Sequence, residues 1–275
     1  MHTLFKTLLI ALLAGFSAPG FAQWKLVWAD EFTQEGAPDA QTWNFEQGFV
    51  RNHEAQWYQP ANATCKDGFL IIEARKERVS NPAYKPGSEN WKEKQEFAEY
   101  TSASITTRNK KTWQYGRFEM RARINTQPGM WPAFWTLGEK GEWPDNGEID
   151  IMEYYRGDLL ANLAWGSGER FKPIWNSVKK PVKEFDDPQW ADKFHIWRMD
   201  WDEQFVRLYV DDQLLTSQEI DKAANVKNKS VQPFRQPHYM VLNLAIGGDN
   251  GGDPAGTQFP ARFEVDYVRV YEKAR

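Results

Sequence analysis

From residue 24 to residue 271 the chain repeats one pattern, short runs in which apolar and polar residues alternate, separated by turns and with little helical period. Gly116-Arg117-Phe118-Glu119-Met120-Arg121-Ala122-Arg123 alternates strictly, as a strand does when only one of its faces is buried. Phe205-Val206-Arg207-Leu208-Tyr209-Val210 and Phe263-Glu264-Val265-Asp266-Tyr267-Val268-Arg269-Val270-Tyr271 read the same way. Lys66-Asp67-Gly68 reads as a hairpin turn into Phe69-Leu70-Ile71-Ile72, because Asp-Gly supplies the positive φ that tight turns require. Asp211-Asp212 turns a later pair. Hairpins imply antiparallel pairing, and many short strands at regular spacing predict an all-β sandwich. Two stretches fall outside the pattern: 77–100, a surface insertion with a short helical turn near 91–97, and 166–190, expected to be a long loop.

The first residues read as a targeting segment instead of structure. Lys6 precedes the apolar run Leu8-Leu9-Ile10-Ala11-Leu12-Leu13, and small residues at Gly20 and Ala22 suggest cleavage before Gln23, so 1–22 is expected to be a signal peptide and 23–275 a single domain. Export to the periplasm or the medium follows, with no membrane span. Losing the leader's one lysine moves the formal charge from −4 to −5 (33 basic against 38 acidic residues), which disfavours nucleic acid as a partner. Cys65 is the only cysteine, so no intrachain disulfide is available and a buried, inert thiol is expected. Fourteen of the 41 aromatic residues are tryptophans. Most serve packing, but indole faces also stack on the C–H faces of sugar rings, so some are expected to meet a ligand. The loop Gly247-Gly248-Asp249-Asn250-Gly251-Gly252 lacks the strand, turn and helix context of a phosphate cradle.

The chemistry is expected at Gly147-Glu148-Ile149-Asp150-Ile151-Met152-Glu153-Tyr154. On a strand, Glu148 and Asp150 share a face and Ile149 and Ile151 take the other. Glu153, five positions from Glu148, joins that face only if a β-bulge near Ile151-Met152 inserts one residue. Three acids in a row repel one another, and a fold keeps such a row when a cation, a proton or a reaction uses it. Three readings compete: a solvated strand face, a hard-cation site, and a pair of catalytic carboxylates with a third acid tuning their protonation.

Trp131-Pro132-Ala133-Phe134-Trp135, Gly147-Glu148-Ile149-Asp150-Ile151-Met152-Glu153 and Asp266-Tyr267-Val268-Arg269-Val270-Tyr271 together resemble glycoside hydrolase family 16. Trp28-Ala29-Asp30-Glu31-Phe32, Asp67-Gly68-Phe69-Leu70, Tyr115-Gly116-Arg117-Phe118-Glu119 and Asn243-Leu244-Ala245-Ile246-Gly247-Gly248 extend the resemblance over 24–271. It implies a jelly-roll sandwich with an open cleft on its concave sheet and retaining, endo-acting hydrolysis of a β-linked polysaccharide; nothing in the sequence demands more than a monomer. Glu148 would be the nucleophile, Glu153 the acid/base and Asp150 the assisting acid, with the two-residue spacing between Asp150 and Glu153 similar to the laminarinase, agarase and carrageenase branches. The resemblance places Trp131, Trp135 and Trp143 at sugar subsites, His195 and Asn243 near the cleft floor, and Asn52 on the donor side. It requires no cofactor for catalysis, and it implies a structural calcium at Glu31, the Gly68 carbonyl and Asp266.

One segment departs from that family pattern. Where laminarinases usually carry a His and glycines on the strand after the acids, this chain has Leu160-Ala161-Asn162-Leu163-Ala164-Trp165-Gly166. Trp165, Trp175 and Trp190 are then expected to shape a different cleft wall. The substrate stays open between a β-1,3- or mixed-linkage glucan and a β-1,4-linked galactan or host poly-N-acetyllactosamine glycan. A non-catalytic carbohydrate-binding sandwich is the alternative of another class.

Overall fold

Alternation of the kind seen in Gly116–Arg123 buries every second side chain (Phe118, Met120, Ala122) and leaves the arginines between them at the surface. The computed structural model, which describes residues 24–274, shows how such strands assemble; the expected signal peptide, 1–22, lies outside the described residues. An eight-stranded and a seven-stranded antiparallel sheet stack face to face, the jelly-roll sandwich of the sequence reading. Phe118, Met120, Val265 and Val268 from the first meet Phe134, Ile149, Ile151, Leu163, Leu242 and Leu244 from the second in one continuous core. Cys65 is buried in that core, where burial pushes its thiol up to about 12 and leaves it unreactive at neutral pH.

The expected turns are present. Asp67 (φ 53°) and Gly68 (φ 79°) join Ala63–Lys66 to Phe69–Ala74, and Asp211 (φ 45°) with Asp212 (φ 66°) joins Phe205–Val210 to Gln213–Glu219. The 77–100 insertion holds one helical turn, Trp91–Lys94, capped by the Asn90 side chain accepting from the Lys92 N–H. The stretch 166–190 is a correction: the strand Asp158–Glu169 turns back into an edge strand, Lys172–Pro181, so its first half is a long hairpin and not a loop. The edge strand alternates Ile174, Asn176 and Val178 with Trp175, Ser177 and Lys179, and its prolines and lysines made that period read as a loop.

The seven-stranded sheet positions the site. Its order runs from the edge strand Lys172–Pro181 through Asp158–Glu169, the acidic strand Glu148–Tyr155, the aromatic strand Met130–Gly138 and His238–Ile246 to two short strands, Ser104–Thr106 and Asn44–Phe45. Ladder register therefore decides which side chains become neighbours on its outer face.

Candidate active site

Three rows of facing residues run across that outer face. One is Tyr239, Leu137, Glu148, Ala164, Trp175; the next is Val241, Trp135, Asp150, Asn162, Ser177; the third is Asn243, Ala133, Glu153, Leu160, Lys179. The third row includes Glu153 because the register shifts between Asp150 and Glu153, and between Phe134 and Trp135 on the neighbouring strand. That is the bulge the spacing required. Ile149 and Ile151 point into the core, and the three acids line a cleft of about 630 Å³ with Trp131, Trp135, Trp143, Asn52, Asn243 and Trp175.

Each glutamate is held by an indole. Trp143 Nε1 donates to Glu148 Oε2 at 2.6 Å, and Trp131 Nε1 donates to Glu153 Oε1 at 2.7 Å. The sequence placed these tryptophans as sugar platforms; they also orient the carboxyls. Trp135 donates to Asn243 Oδ1 at 2.7 Å, and Asn243 donates onward to the Tyr58 hydroxyl at 3.1 Å. Asn162, which sequence reasoning did not single out, donates from Nδ2 to Asp150 Oδ2 and to Glu153 Oε2, both at 3.0 Å.

Burial and mutual repulsion set the protonation of the row. Desolvation raises Glu148 above its ordinary value, while the Trp143 indole, Asp150 and the Arg51 guanidinium pull it back. Asp150 is pushed well above the carboxylate range by burial, then by Glu148 and Glu153 on either side. Glu153 rises to about 7, mainly through burial, with Trp131 opposing and Glu148 adding to the rise. The arrangement holds a proton on Asp150, shared toward Glu148, and keeps Glu153 an acid poised near neutrality.

Beyond the acids, the cleft continues to a loop that sequence reasoning caught only at Asn52. Arg51 lies 5.1 Å over the Trp135 ring and pairs with Glu46. Glu54 is buried, raised by that burial, and accepts from Asn52, Gln56 and Tyr58. The glycine-rich loop is what seats this segment: Asp249 N–H donates to the Asn52 carbonyl at 2.9 Å, and at Gly248 (φ +68°) an added Cβ would lie 2.5 Å from that same oxygen. At the opposite end of the cleft, Trp175 (44% exposed), Ser177 and Lys179 line the wall.

Two expectations fail on geometry, and a third meets competing contacts. His195 belongs to the eight-stranded sheet, buried and stacked on Trp190 with ring centroids 3.9 Å apart, its Nε2 at 2.7 Å from the Trp190 carbonyl and its Nδ1 against Asp211. It is a packed core histidine and not a cleft residue. Trp165, three positions from Asn162, has the opposite parity and packs into the core against Phe234; buried Trp190 likewise leaves Trp175 as the one tryptophan of the expected wall that reaches the cleft. Both carboxylates of the expected calcium set are engaged by arginines: Arg269 takes both oxygens of Glu31 at 2.7 and 2.9 Å, and Arg121 takes Asp266 at 2.6 Å. Carboxylates already neutralised by guanidinium are poor cation ligands.

Comparison with known proteins agrees with this geometry. The sequence profile described as Glycosyl hydrolases family 16 matches residues 85–269. A beta-glucanase of Rhodothermus marinus is 36% identical over 271 residues, spanning 90% of this chain and 85% of its own. A solved structure from work on endo-acting O-glycanases with which prominent members of the human gut microbiota initiate mucin breakdown superposes with a TM-score of 0.82 at 34% identity, covering 93% of this chain and 92% of that one. The catalytic domain of an endo-1,3-beta-glucanase (laminarinase) from Thermotoga petrophila gives 0.76 at 34% identity, over 93% and 100%.

Proposed function

The chain belongs to glycosyl hydrolases family 16, and from that premise we propose that it is an exported, retaining endo-β-glycanase with Glu148 as nucleophile, Glu153 as acid/base and Asp150 as the assisting acid. The observation that carries the reading is the bulged acidic strand, which puts both glutamates on one cleft face with an indole N–H on each. In the first step Glu148 Oε attacks the anomeric carbon as Glu153 gives its proton to the leaving glycosidic oxygen. A glycosyl ester on Glu148 and a free reducing-end sugar result. In the second, Glu153, now anionic, takes a proton from water as that water attacks the same carbon, releasing Glu148 and restoring the acid. Asp150 supports both steps by hydrogen bonding toward Glu148 and lending it a proton as its charge returns.

The cleft crosses the sheet from Asn52 and Asn250 to Trp175 and Lys179, which suits an internal stretch of polymer better than a chain end. A β-1,3-glucan or mixed-linkage β-glucan is the leading substrate, supported by the glucan-active relatives. A second reading, a β-1,4-galactosidic or poly-N-acetyllactosamine O-glycan, is favoured by a particular observation: small Ala164 beside Glu148, backed by exposed Trp175, replaces the His-bearing wall expected of laminarinases. Mass analysis of products from laminarin, mixed-linkage glucan, agarose, porphyran and mucin-type glycans separates the two. Glucose oligomers support the first and galactose-containing oligomers the second; binding without products from any of them would return the chain to the carbohydrate-binding class.

A further inference from the structure

Of the polar side chains in the cleft, Asn162 has the least explained chemistry. It is 4% exposed and sits between Asp150 and Ser177 in the middle row. Both hydrogens of its one amide nitrogen are spent on carboxyls, Asp150 Oδ2 and Glu153 Oε2, at 3.0 Å each. Its Oδ1 is buried and has no partner among the described groups. A buried carbonyl without a donor costs stability, and a leucine of similar shape would avoid that cost. The side chain therefore makes no polar contact that serves the fold; its only partners are two of the three acids.

We propose that Asn162 is a positioning residue for the reaction, fixing the Glu153 carboxyl on the cleft face and stabilising its anion once the proton has been given to the leaving group. With Trp131 on Oε1 and Asn162 on Oε2, both oxygens of Glu153 face fixed donors. A hydrogen bond to a carboxylate is about twice as strong as one to its neutral acid. The contact tightens as the first step puts negative charge on Glu153, and it is in place again when Glu153 acts as base. Glu148 has no such help from its own row, where the neighbour is Ala164, so the amide separates the environments of the two glutamates. This inference rests on the assignment of Glu153 as acid/base.

Asn162→Leu and Asn162→Thr, the latter retaining one donor, test it by kcat/KM against pH on two substrates: the glycan that the wild-type enzyme cleaves, and the 2,4-dinitrophenyl glycoside of the oligosaccharide it releases, whose leaving group needs no proton. Asn162→Leu is expected to lose about 10- to 100-fold on the glycan but less than about threefold on the dinitrophenyl glycoside. Its basic limb should move up by about half a pH unit or more, because a donor to the anion is gone, while Asn162→Thr falls between it and wild type. Equal losses on the two substrates, or a basic limb that does not move, would overturn the proposal and make Asn162 a packing residue. Should the leucine variant not fold, the threonine variant carries the same comparison alone. Failure of the underlying assignment is distinguishable, since Glu153→Gln would then keep its activity on the glycan.

Discussion

Two carboxyls of the same chemical type are given different work by what surrounds each of them. Burial raises both; Glu148 is pulled back by an indole, a neighbouring acid proton and the Arg51 guanidinium, whereas Glu153, with an indole and the Asn162 amide opposing, also carries the repulsion of Glu148 and rises to about 7. Glu148→Gln should lower kcat by at least about 10⁴-fold with the melting temperature within a few degrees of wild type, read by reducing-sugar release and calorimetry. The wild-type kcat/KM profile should fall on its basic side near pH 7, as Glu153 loses the proton it must donate. Stability carries the same signature. A carboxyl whose folded value lies above its ordinary 4.5 binds its proton more tightly in the folded state, so its contribution is intact below about pH 4.5 and is lost as pH rises through about 7. Glu153→Gln should accordingly gain about 1–3 kcal/mol over wild type at pH 8 and nearly nothing at pH 4, measured by urea unfolding at both. His195, by contrast, belongs to the opposite sheet: His195→Ala is expected to cost about 1–3 kcal/mol of stability and leave kcat/KM within about twofold.

At the scale of strands and loops, the acidic strand works because its neighbours hold it from both sides. The 139–147 segment that carries Trp143 is pinned from the loop near Asn225, whose Nδ2 donates to the carbonyls of Asp145 at 2.7 Å and Val231 at 3.0 Å while its Oδ1 accepts from the Gly166 N–H at 2.7 Å. Asn225→Ala should cost about 2–4 kcal/mol and lower kcat severalfold, since Trp143 then loses its fixed aim at Glu148; thermal melts and initial rates check it together. The edge strand offers a different test. Trp175→Ala removes an exposed indole from the cleft wall and should raise KM about 5- to 20-fold with kcat nearly unchanged, as expected of uniform substrate binding. Much of this was legible in the sequence. The spacing of Glu148, Asp150 and Glu153 demanded a bulge, and Asp67-Gly68 and Asp211-Asp212 announced their hairpins. Asn162 and Trp165 could also have been sorted by parity, because three positions on a regular strand put them on opposite faces. What hid them was a local pattern apolar almost throughout, as happens when a strand is buried on both sides.

Across the described residues, two large sheets share one hydrophobic core and the seven-stranded one bears the cleft. The antiparallel pairing and the placement of the acids follow from alternation and turn chemistry, which are local. The pairing of Glu31 with Arg269 and of Asp266 with Arg121, and the buttressing of Asn52 by the glycine loop, depend on contacts between residues far apart in sequence. No local period encodes those. Because arginines already neutralise both carboxylates of the expected calcium set, chelation should leave the melting temperature within about 1 °C, as follows when no ligand is bound selectively to the folded state.

The most direct test of the account is the configuration of the product as it first forms. With the glycan that the wild-type enzyme cleaves as substrate, ¹H NMR at early times should show the β-anomer at the new reducing end, the α-anomer growing in only with mutarotation. That order is what two successive displacements at one carbon, through an ester on Glu148, require. An α-anomer appearing first would mean single displacement by water, and the assignment of Glu148 as nucleophile would be wrong.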